Sequence, residues 1–325
     1  MIDGTRREGA NDWAAIATVL GAAAIIFSII VGVIFVKDPY GRSGFRPSVQ
    51  VPELGERELK VSRAMDQNFD SAIVGNSTSI PMQPEILDEL TGLRFVSLSI
   101  SGSGAPVALT MTRFFLSRHP AANAIIVGLD DTWCRNAIDM AEGRPFPFWL
   151  YGNDVSYIFG LYEYASYEML DTAVLMPRGG NRLDGYKPLG EAFHRQFDDI
   201  NFVKQRLDRV QRPTKTRYRL PFRFEPPALV ERLIDEFPSV TFVLFWTPRY
   251  VNLIPKPETP AAEVDAACKQ QTADIRNGRQ NVRIVDWSGQ RPENMDPSNF
   301  YEANHYRDKL AIKIEREISE ALKGF

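Results

Sequence analysis

The chain has 325 residues, 44% apolar and 24% charged, a balance that suits a globular protein with room for a sizeable core. A formal charge of −3, with no Lys/Arg stripe interleaved with aromatics, excludes a nucleic-acid footprint. Two cysteines, Cys134 and Cys268, leave the redox compartment open, although a disulfide between them would indicate an oxidising one.

Residues 1–12 form an N-terminal tail ahead of an uncharged stretch, Trp13 to Val36, that is longer than the roughly 20 residues a bilayer-spanning helix needs. Trp13 stands where an interfacial aromatic belongs, the run exceeds the apolar core of a signal peptide, and no small-residue cleavage signal follows. A transmembrane helix over 13–36 is therefore expected, rather than a buried core helix. Arg6 and Arg7 before it nearly balance Lys37, Arg42 and Arg46 after it, so charge does not decide the orientation.

Residues 37–52, rich in Pro, Gly and Arg, form a juxtamembrane linker, and residues 53–325 form the main domain. Short apolar runs predict strands at Ser71–Val74, Arg94–Ile100, Ala124–Leu129, Val240–Trp246 and Val282–Trp287. Helical patterns cover Pro84–Leu90, Pro106–Ser117, Pro227–Phe237, Ala261–Arg276 and Tyr306–Leu322. This alternation predicts an α/β fold with a mostly parallel five-stranded sheet, because parallel neighbours need crossovers and these are usually helical. Sites in such folds gather at the carboxyl ends of the strands.

Residues 134–222 break the rhythm and read as an insertion whose first half is helical and rich in aromatics, Trp149, Tyr151, Tyr157, Phe159, Tyr162, Tyr164 and Tyr167 among them. These rings either pack against the main sheet or line a substrate groove; Trp149, Tyr151 and Tyr162 would serve as stacking surfaces in a carbohydrate-binding module.

The first chemical signal is Gly75-Asn76-Ser77-Thr78-Ser79, directly after an apolar strand, where a small Gly lets a hydroxyl project from the sheet edge. The second is Glu302-Ala303-Asn304-His305, just before the last amphipathic helix. Ser77 is the candidate nucleophile, His305 its base and Glu302 the acid that orients the imidazole. Asp296 and Asp308 are nearby substitutes for Glu302, while His119 and His194 have weaker claims than His305. The bland alternative has Ser77 capping a helix and His305 on the surface. No Cys or His pair has metal-site spacing. Gly102-Ser103-Gly104 lacks the third glycine and downstream acid of a dinucleotide loop, so no cofactor is expected. Asp130-Asp131 reads as a helix start rather than a glycosidase pair, since adjacent acids rarely face one bond.

Gly75-Asn76-Ser77, Gly102, Gly128-Leu129-Asp130-Asp131 and Glu302-Ala303-Asn304-His305 occur in the order of the four blocks of the SGNH (GDSL-like) hydrolases, and the chain after Asp70 resembles that superfamily. The resemblance implies a flavodoxin-like three-layer sandwich, with Ser77 as nucleophile and one oxyanion amide donor, Gly102 as a second donor, and Glu302 and His305 as acid and base. Two positions depart from the pattern. Glu302 replaces the usual Asp, and Asp130 stands where an Asn normally donates to the oxyanion, a substitution that would cost about 3 to 4 kcal/mol of transition-state stabilisation if nothing replaced the donor. Asp130 would have to turn away, be protonated, or cap a helix from Thr132 onward.

The lead-in Asp38-Pro39-Tyr40-Gly41 and the ending Asn299 to Arg307 also resemble membrane-anchored bacterial SGNH-like proteins associated with exopolysaccharide production. That resemblance implies an esterase or O-acyltransferase acting on acylated carbohydrate, held in the inner membrane with its soluble domain outside the cytoplasm and with polysaccharide-assembly proteins as partners. The alternative is a catalytically inactive scaffold or glycan-binding protein of such a system.

Overall fold

A computed structural model describes residues 5–38, 40–42, 56–134, 146–164, 198–215 and 224–323. The chain divides into two compact units, one from Met1–Ser62 with Trp149–Leu183 and one from Arg63–Phe148 with Asp184–Phe325.

In the first unit, helix α1 (Thr5–Lys37) contains Asp12–Lys37, 26 residues of mean hydropathy 2.9, long and apolar enough to cross a membrane. A second helix, α2 (Glu56–Met65), which periodicity did not suggest, follows and runs on into the other unit.

The second unit is an α/β fold. Its strands β1 (Ser71–Val74), β2 (Phe95–Ser97), β3 (Ala124–Leu129), β4 (Thr241–Trp246) and β5 (Val282–Asp286) form one parallel sheet in the order β2-β1-β3-β4-β5. The crossovers carry α3 (Pro84–Thr91) and α4 (Ala105–Arg118); α5 (Asp154–Tyr164) belongs to the first unit, and α6 (Ile200–Asp208), α7 (Glu225–Glu236) and α8 (Pro260–Asp274) precede β4 and β5. A short α9 (Pro292–Met295) leads to the antiparallel pair β6 (Phe300–Glu302) and β7 (His305–Tyr306), and α10 (Asp308–Leu322) closes the described chain.

Strands β1 to β4 are buried at both parities, which is why they read as apolar runs and not as alternating ones, whereas edge strand β5 is only partly covered at Arg283, Ile284 and Asp286. Ile73, Ile126, Val243 and Phe245 share a core cluster with Leu87 of α3 and with Leu310, Ile314 and Ile318 of α10. Ala72, Ile125, Phe242 and Leu244, on the alternate pleat, are equally buried. There α4 packs on β1 and on α7, and α7 packs on α8.

Differences from the expected boundaries have local causes. Strand β2 stops at Ser97, three residues short of Ile100, because it borders β1 alone and its ladder with β1 ends at the Ile73–Ser97 pair. The last helix starts at Asp308 and not at Tyr306, since His305 and Tyr306 are taken up by pairing with β6. Within the expected insertion, α6 is capped by Asp199, which accepts from the Asn201 amide at 2.8 Å, and buries Val203 and Leu207 in the main core.

Within the first unit, several of the described aromatics of the expected insertion pack on one another and on the segments beside them. Trp149 stacks on Tyr157 at 6.0 Å and meets Tyr40 edge-on, Tyr157 meets Phe35 of α1, and buried Tyr151 donates its hydroxyl to the Arg57 carbonyl. The side chains of Tyr162 and Tyr164, and all of Tyr167, lie outside the described residues.

Candidate active site

Strand β1 ends at Val74, and the chain turns back beneath the sheet edge through residues 75–81 before α3 begins. Two glycines make that turn fit. A Cβ on Gly75 would lie 2.2 Å from Ser79 Oγ, and one on Gly128 of β3 would lie 1.9 Å from the same atom. Ser79 is therefore tucked between the ends of two neighbouring strands, and Ser77 rides on the outer side of the turn, half-buried. It does not cap α3, whose N-cap is Gln83.

Ser77 Oγ lies 2.9 Å from His305 Nε2, across 228 residues of sequence. His305 Nδ1 lies 3.2 Å from Glu302 Oε2. A carboxylate can only accept, so Nδ1 carries the proton and Nε2 is left to accept from the serine hydroxyl. The tight β6–β7 hairpin is what folds Glu302 back beside His305. Burial holds the His305 imidazole below its usual pKa, while the charges of Glu302 and Asp130 act in the opposite sense.

Glu302 is itself gripped from the other side. Arg206, on α6, reaches its Oε1 at 2.9 Å, so the two carboxylate oxygens are divided between a guanidinium and an imidazole. Sequence reasoning missed Arg206, which carries no local signal: it is one of several basic residues in the irregular segment and lies 96 positions from its partner.

Asp130 has both oxygens engaged. Oδ1 accepts from the Thr132 amide at 3.0 Å and from its hydroxyl at 2.5 Å, which is the cap geometry for the 3₁₀ turn Asp131–Cys134. Oδ2 accepts from Asn76 Nδ2 at 2.7 Å, and Asn76 Oδ1 in turn accepts from the Thr78 amide and hydroxyl, bracing the turn that carries Ser77. Burial, then repulsion from Asp131, pushes the Asp130 carboxyl up, and the hydrogen bonds from Thr132 and Asn76 pull it back. Gly102 lies in the exposed turn after β2 with φ +62°, a left-handed conformation that favours glycine. The strand ends are bridged there by the Ile100 amide, which donates to the Gly75 carbonyl at 3.0 Å.

The other sequence candidates fall elsewhere. His119 is buried at the end of α4, stacked on Phe115, with Nε2 2.9 Å from the Ala64 carbonyl. Asp296 caps the turn Pro297–Asn299, Asp308 opens α10, and His194 lies outside the described residues.

A cleft of about 210 Å³ opens at the carboxyl ends of the strands, its walls including Thr78 and Asn304, the neighbours of Ser77 and His305, together with Asp130, Trp246, Lys215 and Arg249. Arg249 is held by Asp265 at 2.8 Å and by the Ser288 carbonyl. Among the described residues no group of three or more His, Cys, Asp or Glu could hold a metal ion.

No protein-family model and no curated protein matches this sequence. Solved structures do match loosely. One is a carbohydrate esterase family 2 enzyme with a carbohydrate-binding domain from Corynascus thermopiles (Myceliophthora fergusii), at 10% identity and TM-score 0.37, covering 79% of this chain and 67% of that one. A second is a carbohydrate esterase whose active site is described as having divergent catalytic and non-catalytic binding functions, at 10% identity and TM-score 0.33, covering 80% and 66%. A third is an acetyl xylan esterase from the rumen bacterium Butyrivibrio proteoclasticus, at 8% identity and TM-score 0.35, covering 78% and 63%. The chain thus spans about two thirds of the length of each.

Proposed function

We propose that this chain is a membrane-anchored serine esterase or O-acyltransferase of the SGNH type, acting on acylated carbohydrate. The observation that carries the chemistry is the hydrogen-bonded series Ser77, His305 and Glu302, with separations of 2.9 and 3.2 Å. Ser77 Oγ attacks the acyl carbonyl while its proton passes to His305 Nε2, and the imidazolium formed is stabilised by Glu302. His305 then returns the proton to the departing alcohol oxygen, leaving the acyl group on Ser77. Water resolves that ester in hydrolysis, and a sugar hydroxyl resolves it in transfer. The main-chain amides of Ser77 and Gly102 serve as oxyanion donors in this scheme. The carbohydrate substrate is supported by the four sequence blocks and by the resemblance of the segments at 38–41 and 299–307 to exopolysaccharide-associated proteins.

Membrane anchoring is supported by α1, and retention of α1 by its role in a folded unit: Ile34 is fully buried and Phe35 contacts Tyr157, so cleavage after the apolar run would strip a packing face. The Cys134–Cys268 disulfide supports an oxidising, extracytoplasmic location for the main domain, on the outer side of an inner membrane.

One observation favours a non-catalytic scaffold within a polysaccharide-assembly system: the carboxylate of Asp130 stands where the resemblance calls for an amide donor. A single experiment separates the two. The purified full-length chain should turn over p-nitrophenyl acetate and be labelled by a fluorophosphonate, and Ser77→Ala should lose the labelling and lower kcat on the order of 10⁴-fold with an unchanged melting temperature. A wild-type protein that neither labels nor turns over simple acyl esters would leave the scaffold.

A further inference from the structure

The outward face of α5 is unusually apolar for a short helix. Val155, Ile158 and Phe159 are 60%, 44% and 68% exposed, and their spacing of three and four residues places them on one stripe. The opposite stripe holds Tyr157 and Leu161, 3% and 0% exposed. The helix cannot roll to hide its apolar face, because Gly160 is seated under the Trp149 ring so closely that a Cβ there would lie 2.4 Å from it.

What α5 packs on locates it. Helices α1 and α5 are in contact within one unit, and the covered face of α1, which includes Phe27, Val31, Ile34 and Phe35, lies entirely in its last three turns. Everything from Asp12 to Ile26 is exposed. At 1.5 Å per residue, Phe35 and Val31 lie within roughly 8 Å of the end of the apolar run at Val36. Beyond that end the chain is tied to the start of α5 by Arg42, whose side chain is only 1% exposed. It donates from Nε to the Leu150 carbonyl at 3.0 Å and from Nη2 to the Gly152 carbonyl at 2.8 Å, and pairs with Asp154 at 3.2 Å.

If α1 spans a bilayer, as proposed above, α5 is therefore carried to the depth of the boundary between headgroups and acyl chains. We infer that α5 is an interfacial membrane helix whose Val155, Ile158 and Phe159 face inserts into the leaflet from which α1 emerges. The occupant of this face is lipid, because α5 packs on α1, whose own exposed side chains toward that end include Val36 at 67% and Ile29 at 60%.

The test uses the full-length chain in vesicles of phosphatidylethanolamine and phosphatidylglycerol. Because both native cysteines are joined in the disulfide, a single introduced thiol can carry an environment-sensitive NBD dye. Dyes at Phe159→Cys and Val155→Cys should emit to the blue and be quenched by lipids with a doxyl group near the headgroup roughly twofold more than a dye at Met295→Cys, an exposed position of the main domain. A dye at Ile25→Cys, in the middle of α1, reports separately on the span. Quenching at position 25 with solvent-like emission at 155 and 159 would overturn the inference and spare the anchor. A blue shift at 155 and 159 without doxyl quenching would hand the face to a protein partner or a second copy. No quenching at position 25 would remove the span and this inference together, leaving the Ser77 chemistry untouched.

Discussion

At the level of single residues, the site depends on how charge is arranged around one imidazole. Burial lowers the His305 pKa, so the ring is neutral and able to accept a proton at a pH where a solvent-exposed histidine would be partly charged. The acidic limb of kcat/KM should therefore fall below the ordinary histidine range, activity being lost as pH drops through it. Arg206 tunes this. Its guanidinium offsets part of the Glu302 charge that His305 experiences, and it fixes which carboxylate oxygen faces the ring. Arg206→Met should lower kcat roughly ten- to a hundredfold by loosening that geometry, with little change in KM, and should move the acidic limb to higher pH because Glu302 then acts on His305 unopposed. Arg206→Lys should restore the limb more than the rate. An unchanged pH profile in the Met variant would reduce Arg206 to an exposed ion pair of about 0–1 kcal/mol. Ser77, Glu302 and His305 could be named from strand context and spacing; Arg206 could not, because nothing in its neighbourhood differs from that of any other surface arginine on a short helix.

Among the elements, α10 carries the least expected feature. Glu315 is fully buried on its inner face, accepting from the Gln83 amide at the start of α3 at 2.5 Å with Oε1, while Oε2 is buried with no hydrogen-bond partner among the described residues. Desolvation, helped by the charges of Asp308 and Glu85 and opposed by the Gln83 hydrogen bond, pushes its carboxyl up to about 7. The folded pKa lies above the unfolded value of 4.5, so this group's contribution is fully present below pH 4.5 and is lost as pH rises through 7. The whole loss amounts to about 3 kcal/mol. Glu315→Gln keeps an acceptor for Gln83 and removes the charge. In urea melts it should match the wild type near pH 5 and exceed it at pH 8 by about 2–3 kcal/mol; parallel curves at both pH values would show that Glu315 stays ionised. The helix itself was legible from its amphipathic repeat. The buried acid within it was not, because a Glu at that position fits the pattern of a solvent-facing turn as well as that of a cap on a neighbouring helix.

For the molecule as a whole, the Cys134–Cys268 bridge matters most, since it joins the turn capped by Asp130 to α8 across 134 residues. Closing a loop of that length removes unfolded-state entropy worth about 5 kcal/mol. Alkylation of the native protein should find no free thiol before reduction and two after it. Cys134→Ser with Cys268→Ser should lower stability by several kcal/mol and loosen the wall of the cleft beside Ser77. Free thiols in protein taken directly from cells would place the main domain on the reducing side.

Run length, periodicity and turn residues are properties of neighbouring positions, and they were enough to establish the apolar span of α1, the five strands, most of the helices and the turn that carries Ser77. The hydrogen bond from Ser77 to His305, the grip of Arg206 on Glu302, the capping of α3 by Glu315, the disulfide and the seating of α5 on α1 were decided only by tertiary structure. Each joins segments that are far apart in the chain, and their meeting depends on which faces the packed sheet and helices turn toward one another, which no local pattern encodes.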